Sequence, residues 1–178
     1  MKTQNKAIVI LISVLILSGV GFYVFKKDSM PKQYKPVFLM PIEGANIPKY
    51  PGYLPNAPRH YRDGIHEGIE LSAKENSPVK AALSGEIIEA STRESIDGNF
   101  VMIKHKENWT SKYSHLSKID VYVGQKVKTR DIIGLTGCTG NCIRPHLDFT
   151  IYKPDGTYLG KGYDDELELQ LLLSTYIQ

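Results

Sequence analysis

Histidine–carboxylate pairs are the residues of this chain whose types and spacing are suited to chemistry. His66 and Glu70 stand four positions apart in the run IHEGIEL, where a strand is expected to begin. Successive side chains of a strand point to opposite faces, so residues 66, 68 and 70 share one face. Gly68 leaves that face open between the imidazole and the carboxylate. Such a pair beside a gap is suited to be half of a metal site.

A second pair repeats this arrangement, because His146 and Asp148 lie two positions apart in PHLDF. His115 ends a further expected strand, in KYSHL. One histidine in a β-domain is more often structural than a ligand, and no single pair is a strong signal. Three such groups in one small domain together indicate a metal or acid–base site. His105 is predicted to be structural, and His60 has no assignable role.

Short apolar runs separated by turn residues predict an all-β domain to position these groups. Glycine-, asparagine- and proline-containing segments such as DGN and PDG divide the runs. The end of the chain differs, because acidic residues open DDELELQLLLSTY and its leucines have helical spacing. A short C-terminal helix is therefore predicted over Asp164–Tyr176. The predicted strands are Gly68–Ala73, Val79–Ala82, Glu86–Ser91, Phe100–His105, Ser111–Leu116, Ile132–Thr136 and Leu147–Lys153.

Two cysteines lie in the glycine-rich loop GLTGCTGNCIRPH that leads to His146. A disulfide between Cys138 and Cys142 is one interpretation, since an oxidising exterior favours it, and free thiols are the other. A metal cluster of these cysteines with His146 would need helical spacing. The glycines and Pro145 oppose a helix there.

Charge is concentrated at the N-terminus. The formal net charge is +3, with 22 basic and 19 acidic residues. Four of the lysines lie within residues 1–27, which contain no acid, so the remaining body is nearly neutral. A nearly neutral body lacks the basic face that nucleic-acid binding requires, and that class is excluded.

An uncharged run from Ala7 to Phe25 predicts a transmembrane signal-anchor. Its length of roughly 28 Å is close to the hydrocarbon thickness of a bilayer. A cleaved signal peptide and a buried core helix are the alternatives; the first lacks a recognisable cleavage site. The predicted organisation is a cytoplasmic tail over 1–6, a span over 7–25, a linker over 26–40 and one domain over 41–178.

Five motifs, in order, resemble the lysostaphin-type (LytM-like) zinc endopeptidases of bacterial cell walls. The resemblance covers about residues 41–160, and both the order and the content of the motifs support it. Arg130 departs from it, since it stands where the family usually has a glycine. The motifs are GIHEGIEL, SPVKAALSGEIIEA, DGNFVMIKHKENWTSKYSHLSKI, VYVGQKVKTRDIIGLTG and RPHLDFTIY.

The resemblance implies a role for each of the five site residues. The metal ligands fall on His66, Glu70 and Asp148, and the catalytic histidines fall on His115 and His146. Glu70 replaces an aspartate and Asp148 replaces a histidine, so two of three ligands are altered. Zinc is the first expectation for the bound metal. The added oxygen ligand shifts the preference toward manganese or another divalent ion, which is the second expectation, and a site without metal is the third.

The expected protein is a membrane-anchored, extracytoplasmic cell-wall metalloendopeptidase with an altered metal site. Its expected fold is a compact two-sheet antiparallel LytM-like domain, and its expected substrates are peptidoglycan peptides. The alternative is a catalytically inactive module that binds peptidoglycan, or that activates or scaffolds other envelope proteins. The segment 50–61 is expected either to line the substrate groove or simply to pack as a long loop.

Overall fold

Eight β-strands and one short 3-10 turn make up the regular structure of the residues that the structure describes. The computed structural model describes residues 34–45, 53–58, 64–92 and 94–161. The all-β prediction is confirmed, and each predicted strand run overlaps an observed strand. The strands are β1 (Ile69–Ser72), β2 (Pro78–Lys80), β3 (Gly85–Ser91), β4 (Asn99–Lys104), β5 (Thr110–Ile119), β6 (Lys126–Val127), β7 (Ile132–Thr136) and β8 (His146–Tyr152), and the turn is Lys106–Asn108.

Two predicted helices fall where the structure gives no description. The signal-anchor over 7–25 and the C-terminal helix over 164–176 lie outside the described residues. Within the described ranges, no helix has both the length and the apolar character needed to cross a bilayer. The linker prediction ends at residue 40, yet Phe38 is fully buried and the Leu39 N–H donates to the Ala82 carbonyl at 2.8 Å. Packed structure thus begins before the predicted domain start at residue 41.

The strands pair antiparallel throughout and form one hydrogen-bonded network. Their order is β1-β8-β5-β4-β3-β6, while β7 pairs with both β2 and β5. The prediction of two separate sheets is therefore wrong. The physical reason is that β5 is long enough to pair with two strands in succession on one of its edges.

Strand β5 changes partner at His115. Its residues from Thr110 to Ser114 pair with β8, and its residues from Leu116 to Ile119 pair with β7. His115 has φ 66°, in the left-handed region that non-glycine residues seldom adopt. Its N–H leaves the ladder and donates to the Asp97 carbonyl at 2.9 Å. The backbone break places this histidine where the sheet divides.

The alternation of side chains across β1, β8 and β5 separates a core face from a groove face. Ile69, Phe149 and Tyr113 are direct neighbours in register, and all three are buried. One position along, Glu70 lies opposite Asp148, and Asp148 lies opposite Ser114. The polar residues predicted to do chemistry therefore share the face opposite the apolar core.

Candidate functional site

Asp148 lies at the centre of the candidate site. It occupies the middle of β8, with β1 on one side and β5 on the other. Its side chain is 18% exposed and faces the groove. Ser114 of β5 and Thr150 of β8 line the same groove. This position makes Asp148 the group around which the histidines gather.

His66 contacts Asp148 directly from the segment before β1. Its Nε2 lies 3.0 Å from Oδ2 of Asp148, and its Nδ1 lies 3.2 Å from the Leu54 carbonyl. Both ring nitrogens thus face oxygen acceptors. A neutral imidazole carries one N–H only, so satisfying both takes a second proton or another cation between Nε2 and the carboxylate.

Residues 53–58 hold His66 in this position. The Asn56 N–H donates to the His66 carbonyl at 2.8 Å, and the His66 N–H donates to the Ala57 carbonyl at 2.9 Å. This part of the proline- and tyrosine-rich segment 50–61 therefore fixes a site residue through its backbone. Whether the segment also contacts substrate stays a prediction.

His115 and His146 lie side by side next to Asp148. Their ring centroids are 4.7 Å apart, and Nε2 of His115 is 4.0 Å from Oδ2 of Asp148. Nδ1 of His115 donates to the Thr139 carbonyl at 2.8 Å, and Nδ1 of His146 donates to the Arg144 carbonyl at 2.8 Å. Because Nδ1 carries the proton in each neutral ring, each Nε2 is left with a free lone pair.

The local electrostatics favour a charged Asp148 and a neutral His115. Burial alone would raise the pKa of Asp148, but the hydrogen bond from His66 and the charges of the surrounding histidines outweigh it and hold that pKa below its usual value. Burial lowers the pKa of His115, and the nearby Asp148 carboxylate and the Thr139 carbonyl offset only part of that effect. The pair therefore combines an anion with an uncharged base.

One carboxylate oxygen of Asp148 lacks a hydrogen-bond partner among the residues that the structure describes. This oxygen, Oδ1, is buried. A Cβ on Gly68 would lie 2.6 Å from this oxygen and 2.5 Å from Oγ1 of Thr150, so only glycine leaves the space beside it open. A buried carboxylate oxygen without a partner is costly unless a cation or water completes it.

Glu70 is the predicted ligand whose side chain is engaged elsewhere. Its Oε2 lies 3.5 Å from Nη2 of Arg144, and Nη1 of the same guanidinium donates to Oγ of Ser72 at 3.3 Å. The same guanidinium lies 4.7 Å over the ring of Tyr53. Sequence reasoning missed Arg144, although a cation two residues before His146 was a readable signal of competition for a nearby carboxylate.

The donor set fits a divalent cation in part. His66 and Asp148 meet at one point, and the unpartnered Oδ1 offers a further oxygen there. Glu70 lies opposite Asp148 in register but pairs with Arg144. In the described part of the chain, no group of three or more His, Cys, Asp or Glu side chains is arranged to hold a metal ion.

The two cysteines form a disulfide beside the histidines. Cys138 and Cys142 are joined, with their Cα atoms 5.2 Å apart, and no cysteine is free. Of the interpretations that the sequence left open, the structure has the loop-closing disulfide. Its Cys142 sulfur lies 3.5 Å from Nδ1 of His146.

Two polar pairs that the sequence did not reveal line the groove beyond Asp148. Nζ of Lys112 binds Asp97 at 2.7 Å, and both side chains are largely buried. The Tyr152 hydroxyl donates to Glu67 at 2.7 Å. Nothing in the sequence singled out Lys112, because a lysine on a strand usually points into solvent. These pairs give the groove a polar wall with both charges present.

Comparison with known proteins gives consistent matches. Residues 64–161 match the family described as peptidase family M23. The chain is 36% identical over 84 residues to the peptidoglycan DD-endopeptidase ShyC of Vibrio cholerae. This match covers 47% of this chain and 19% of ShyC. The chain spans 17% to 30% of the length of the first curated relatives that it matches.

Solved structures share the architecture. The catalytic domain of lysostaphin from Staphylococcus simulans aligns with a TM-score of 0.55 and 34% identity, over 62% of this chain and 86% of that domain. A complex of SpoIIIAH and SpoIIQ contains a chain that aligns with a TM-score of 0.52 and 25% identity, over 67% of this chain and 93% of that one.

Proposed function

This chain belongs to peptidase family M23, and on that premise we propose that it is a cell-wall metalloendopeptidase that cleaves peptide bonds of peptidoglycan. The observation that carries the proposal is the cluster around Asp148. Oδ2 of that residue lies 3.0 Å from Nε2 of His66 and 4.0 Å from Nε2 of His115, and the ring of His146 lies beside that of His115. Peptidoglycan is the substrate class named for ShyC.

In the proposed site, His66 and Asp148 hold a divalent cation, and Glu70 is the third ligand when it leaves Arg144. The orphaned Oδ1 of Asp148 supports a cation at this point. A bound divalent ion supplies Lewis acidity, which polarises a carbonyl and makes a water more acidic. Two carboxylates and one imidazole leave less positive charge on such an ion than one carboxylate and two imidazoles would.

His115 and His146 carry the proton chemistry in this proposal. Each holds its Nδ1 proton on a backbone carbonyl and keeps a free Nε2 lone pair. Since burial lowers the pKa of His115, its Nε2 is available as a base at neutral pH. The histidine accepts a proton from the attacking water and returns it to the leaving amine. The neighbouring His146 presents a second Nε2 lone pair, which accepts a hydrogen bond from the attacking water and orients it.

The decisive experiment uses the full chain in detergent with purified sacculi. Release of soluble muropeptides is measured with and without a chelator, and bound metal is determined by elemental analysis. Chelator-sensitive release that falls at least about 100-fold in His115→Ala supports the proposal. Tyr122→Phe is the matched control, since Tyr122 is 70% exposed and outside the groove. If the natural chain binds no metal and releases no muropeptides, the proposed hydrolase function is overturned.

A catalytically inactive binding or scaffolding module is the second candidate. The engagement of Glu70 by Arg144 favours it, since that contact occupies a predicted ligand. The structural similarity to a chain of the SpoIIIAH–SpoIIQ complex supports an envelope protein partner. Co-sedimentation with sacculi, without release, supports this candidate. If the double variant Glu70→Asp, Asp148→His gains hydrolysis that the natural chain lacks, the natural site is inert.

We also propose that residues 7–25 anchor the chain in the cell membrane, with the domain on the extracytoplasmic side. The uncharged run supports the anchor, and the disulfide supports an oxidising compartment. Protease added to intact spheroplasts is expected to digest the domain. Protection from protease until the membrane is opened would reverse the orientation.

A further inference from the structure

We propose that the disulfide-closed loop 138–142, here the cystine loop, is the device that positions His115 and His146. It fixes both rings with the proton on Nδ1 and the lone pair on Nε2. Nothing in the reaction chemistry requires a disulfide at this place. The catalytic consequence rests on the proposed function, whereas the structural claim does not.

The first contact holds His115 from inside the loop. The Thr139 carbonyl, between the two cysteines, accepts the Nδ1 proton of His115 at 2.8 Å. His115 has a left-handed backbone at the break in β5, so its ring position is not set by a regular strand. The loop carbonyl is therefore a restraint on that ring in addition to its own backbone.

The second contact reaches His146 from the end of the loop. The sulfur of Cys142 lies 3.5 Å from Nδ1 of His146, and it lies 2.9 Å from the Arg144 carbonyl that accepts the Nδ1 proton. A disulfide sulfur carries no hydrogen, so these are packing contacts. The crosslink thus packs against both members of the Nδ1–carbonyl pair.

Hydrogen bonds tie the cystine loop to β4, to β5 and to the turn before β4. Oγ1 of Thr139 donates to the Leu116 carbonyl at 2.9 Å and accepts the Asn99 N–H at 2.9 Å. The Asn141 N–H donates to the Ile96 carbonyl at 2.8 Å. A displacement of the loop would therefore be felt at β4, at β5 and at the turn before β4.

The glycine content explains why a crosslink is useful here. Gly140 has φ 72°, and a Cβ at that position would lie 2.3 Å from the backbone nitrogen of Gly98. Close packing of two backbones excludes a side chain here, and a glycine loses much conformational entropy when it is ordered. Closing this short segment covalently limits the alternative paths of the loop.

The test compares the full chain with its Cys138→Ser, Cys142→Ser variant by nitrogen-15 NMR of the histidine rings, at one pH where both rings are neutral. The natural chain is expected to show His115 and His146 in the Nδ1–H form. The variant is expected to show a mixture of tautomers or exchange broadening for both rings. His105 is the internal control, because its partners lie on Ser84 and Ser111.

A second perturbation leaves the sequence intact. An excess of a dithiol opens the crosslink: the dithiol is oxidised to its own disulfide, and each cysteine sulfur gains one electron and one proton. The same ring signals are expected to change, and to return on reoxidation. Thr139→Val, which loses the hydroxyl anchor, is expected to change the His115 signal more than Thr139→Ser, which keeps it.

Activity gives a separate readout. If the chain hydrolyses peptidoglycan, opening the crosslink is expected to lower kcat by about 10- to 100-fold, with KM within about twofold, because proton transfer is sensitive to small misplacements. Unchanged ring tautomers in a folded, open-loop protein would overturn the inference. Absence of hydrolysis in the natural chain overturns the proposed function alone, since the NMR result still decides the positioning role.

Discussion

Asp148 combines two demands on one side chain. Oδ2 contacts His66 and approaches His115, while Oδ1 is buried beside Gly68. A side chain with a single polar atom cannot meet both demands at once. The position therefore calls for a carboxylate or a group that can replace both of its oxygens.

Gly68→Ala is expected to close the space beside Oδ1. Its Cβ would lie 2.6 Å from that oxygen and 2.6 Å from the Phe149 carbonyl, which cannot move aside easily. Metal affinity, measured by isothermal titration, is expected to fall at least about tenfold with a loss of stability of about 1–3 kcal/mol. Gly124→Ala is the control, since it adds only backbone strain at φ 88° in open space. Unchanged metal affinity in Gly68→Ala would argue against a cation at Oδ1.

Arg144→Gln is expected to release Glu70 toward the site. Exposed ion pairs contribute about 0.2–1 kcal/mol, so affinity for zinc or manganese is expected to rise by up to about fivefold. Lys118→Gln is the matched control, because it also removes one exposed positive charge but its partner is Asp120. Equal affinities for all three proteins would mean that Arg144 does not compete for Glu70.

The sequence predicted one site for five residues, and the structure brings four of them close together: His66, His115, His146 and Asp148. Part of this proximity has a simple physical basis. Residues two apart on a strand share a face, so His146 and Asp148 were bound to lie together. The direction of the Glu70 side chain was not predictable in this way. It depends on the guanidinium of Arg144, which approaches from another segment. The alternation of side chains along a strand does not predict such a long-range contact.

At the scale of elements, strand positions followed from alternation and turn residues, whereas the branching of the sheet did not. The two-residue β6 is too short to give a pattern. The partner change of β5 depends on a left-handed histidine, and only a glycine or asparagine at that position would have suggested it. That is why two sheets were expected where one branched network exists.

A chain of buried hydrogen bonds links several of these elements. The Ala82 N–H donates to the Tyr113 hydroxyl at 2.9 Å, and the Tyr113 and Ser111 hydroxyls are 3.0 Å apart. Ser111 in turn lies 2.8 Å from Nε2 of His105, whose Nδ1 donates to the Ser84 carbonyl at 2.9 Å. A neutral His105 satisfies every member, because Nδ1 donates and Nε2 accepts.

Tyr113→Phe is expected to break this chain at its centre. Burial raises the pKa of Tyr113 to about 12, so the hydroxyl is protonated and engaged at all physiological pH values. Its removal leaves a buried N–H and a buried hydroxyl without their partner, at a cost of about 1–3 kcal/mol. Chemical denaturation measures this loss. Tyr122→Phe, at an exposed tyrosine, is expected to change stability by less than about 0.5 kcal/mol.

At the scale of the whole molecule, His105 is expected to make stability depend on pH. Burial lowers the pKa of His105, and the hydrogen bond to Ser84 offsets part of this effect. The unfolded chain then binds more protons than the folded one below the ordinary histidine pKa of about 6.5. Stability is therefore retained at pH 7 and above and is lost as the pH falls through about 6.5.

Urea denaturation between pH 5 and pH 8 measures this dependence. The free energy of unfolding is expected to rise with pH in the natural chain and to rise less steeply in His105→Gln, whose side chain keeps a donor and an acceptor but does not titrate. The same slope in both proteins would assign the pH dependence to other groups.

His115 and His146 are held through main-chain carbonyls, that of Thr139 inside the cystine loop and that of Arg144 two residues after it, rather than through side chains. Every amino acid supplies such an oxygen. The two carbonyl contacts therefore place no demand on the side chains of Thr139 and Arg144. The demands on the loop sequence come from its path, which needs the glycine at Gly140 and the hydroxyl of Thr139. A comparison of structures for this support has to follow the main chain, since neither carbonyl depends on which side chain is present.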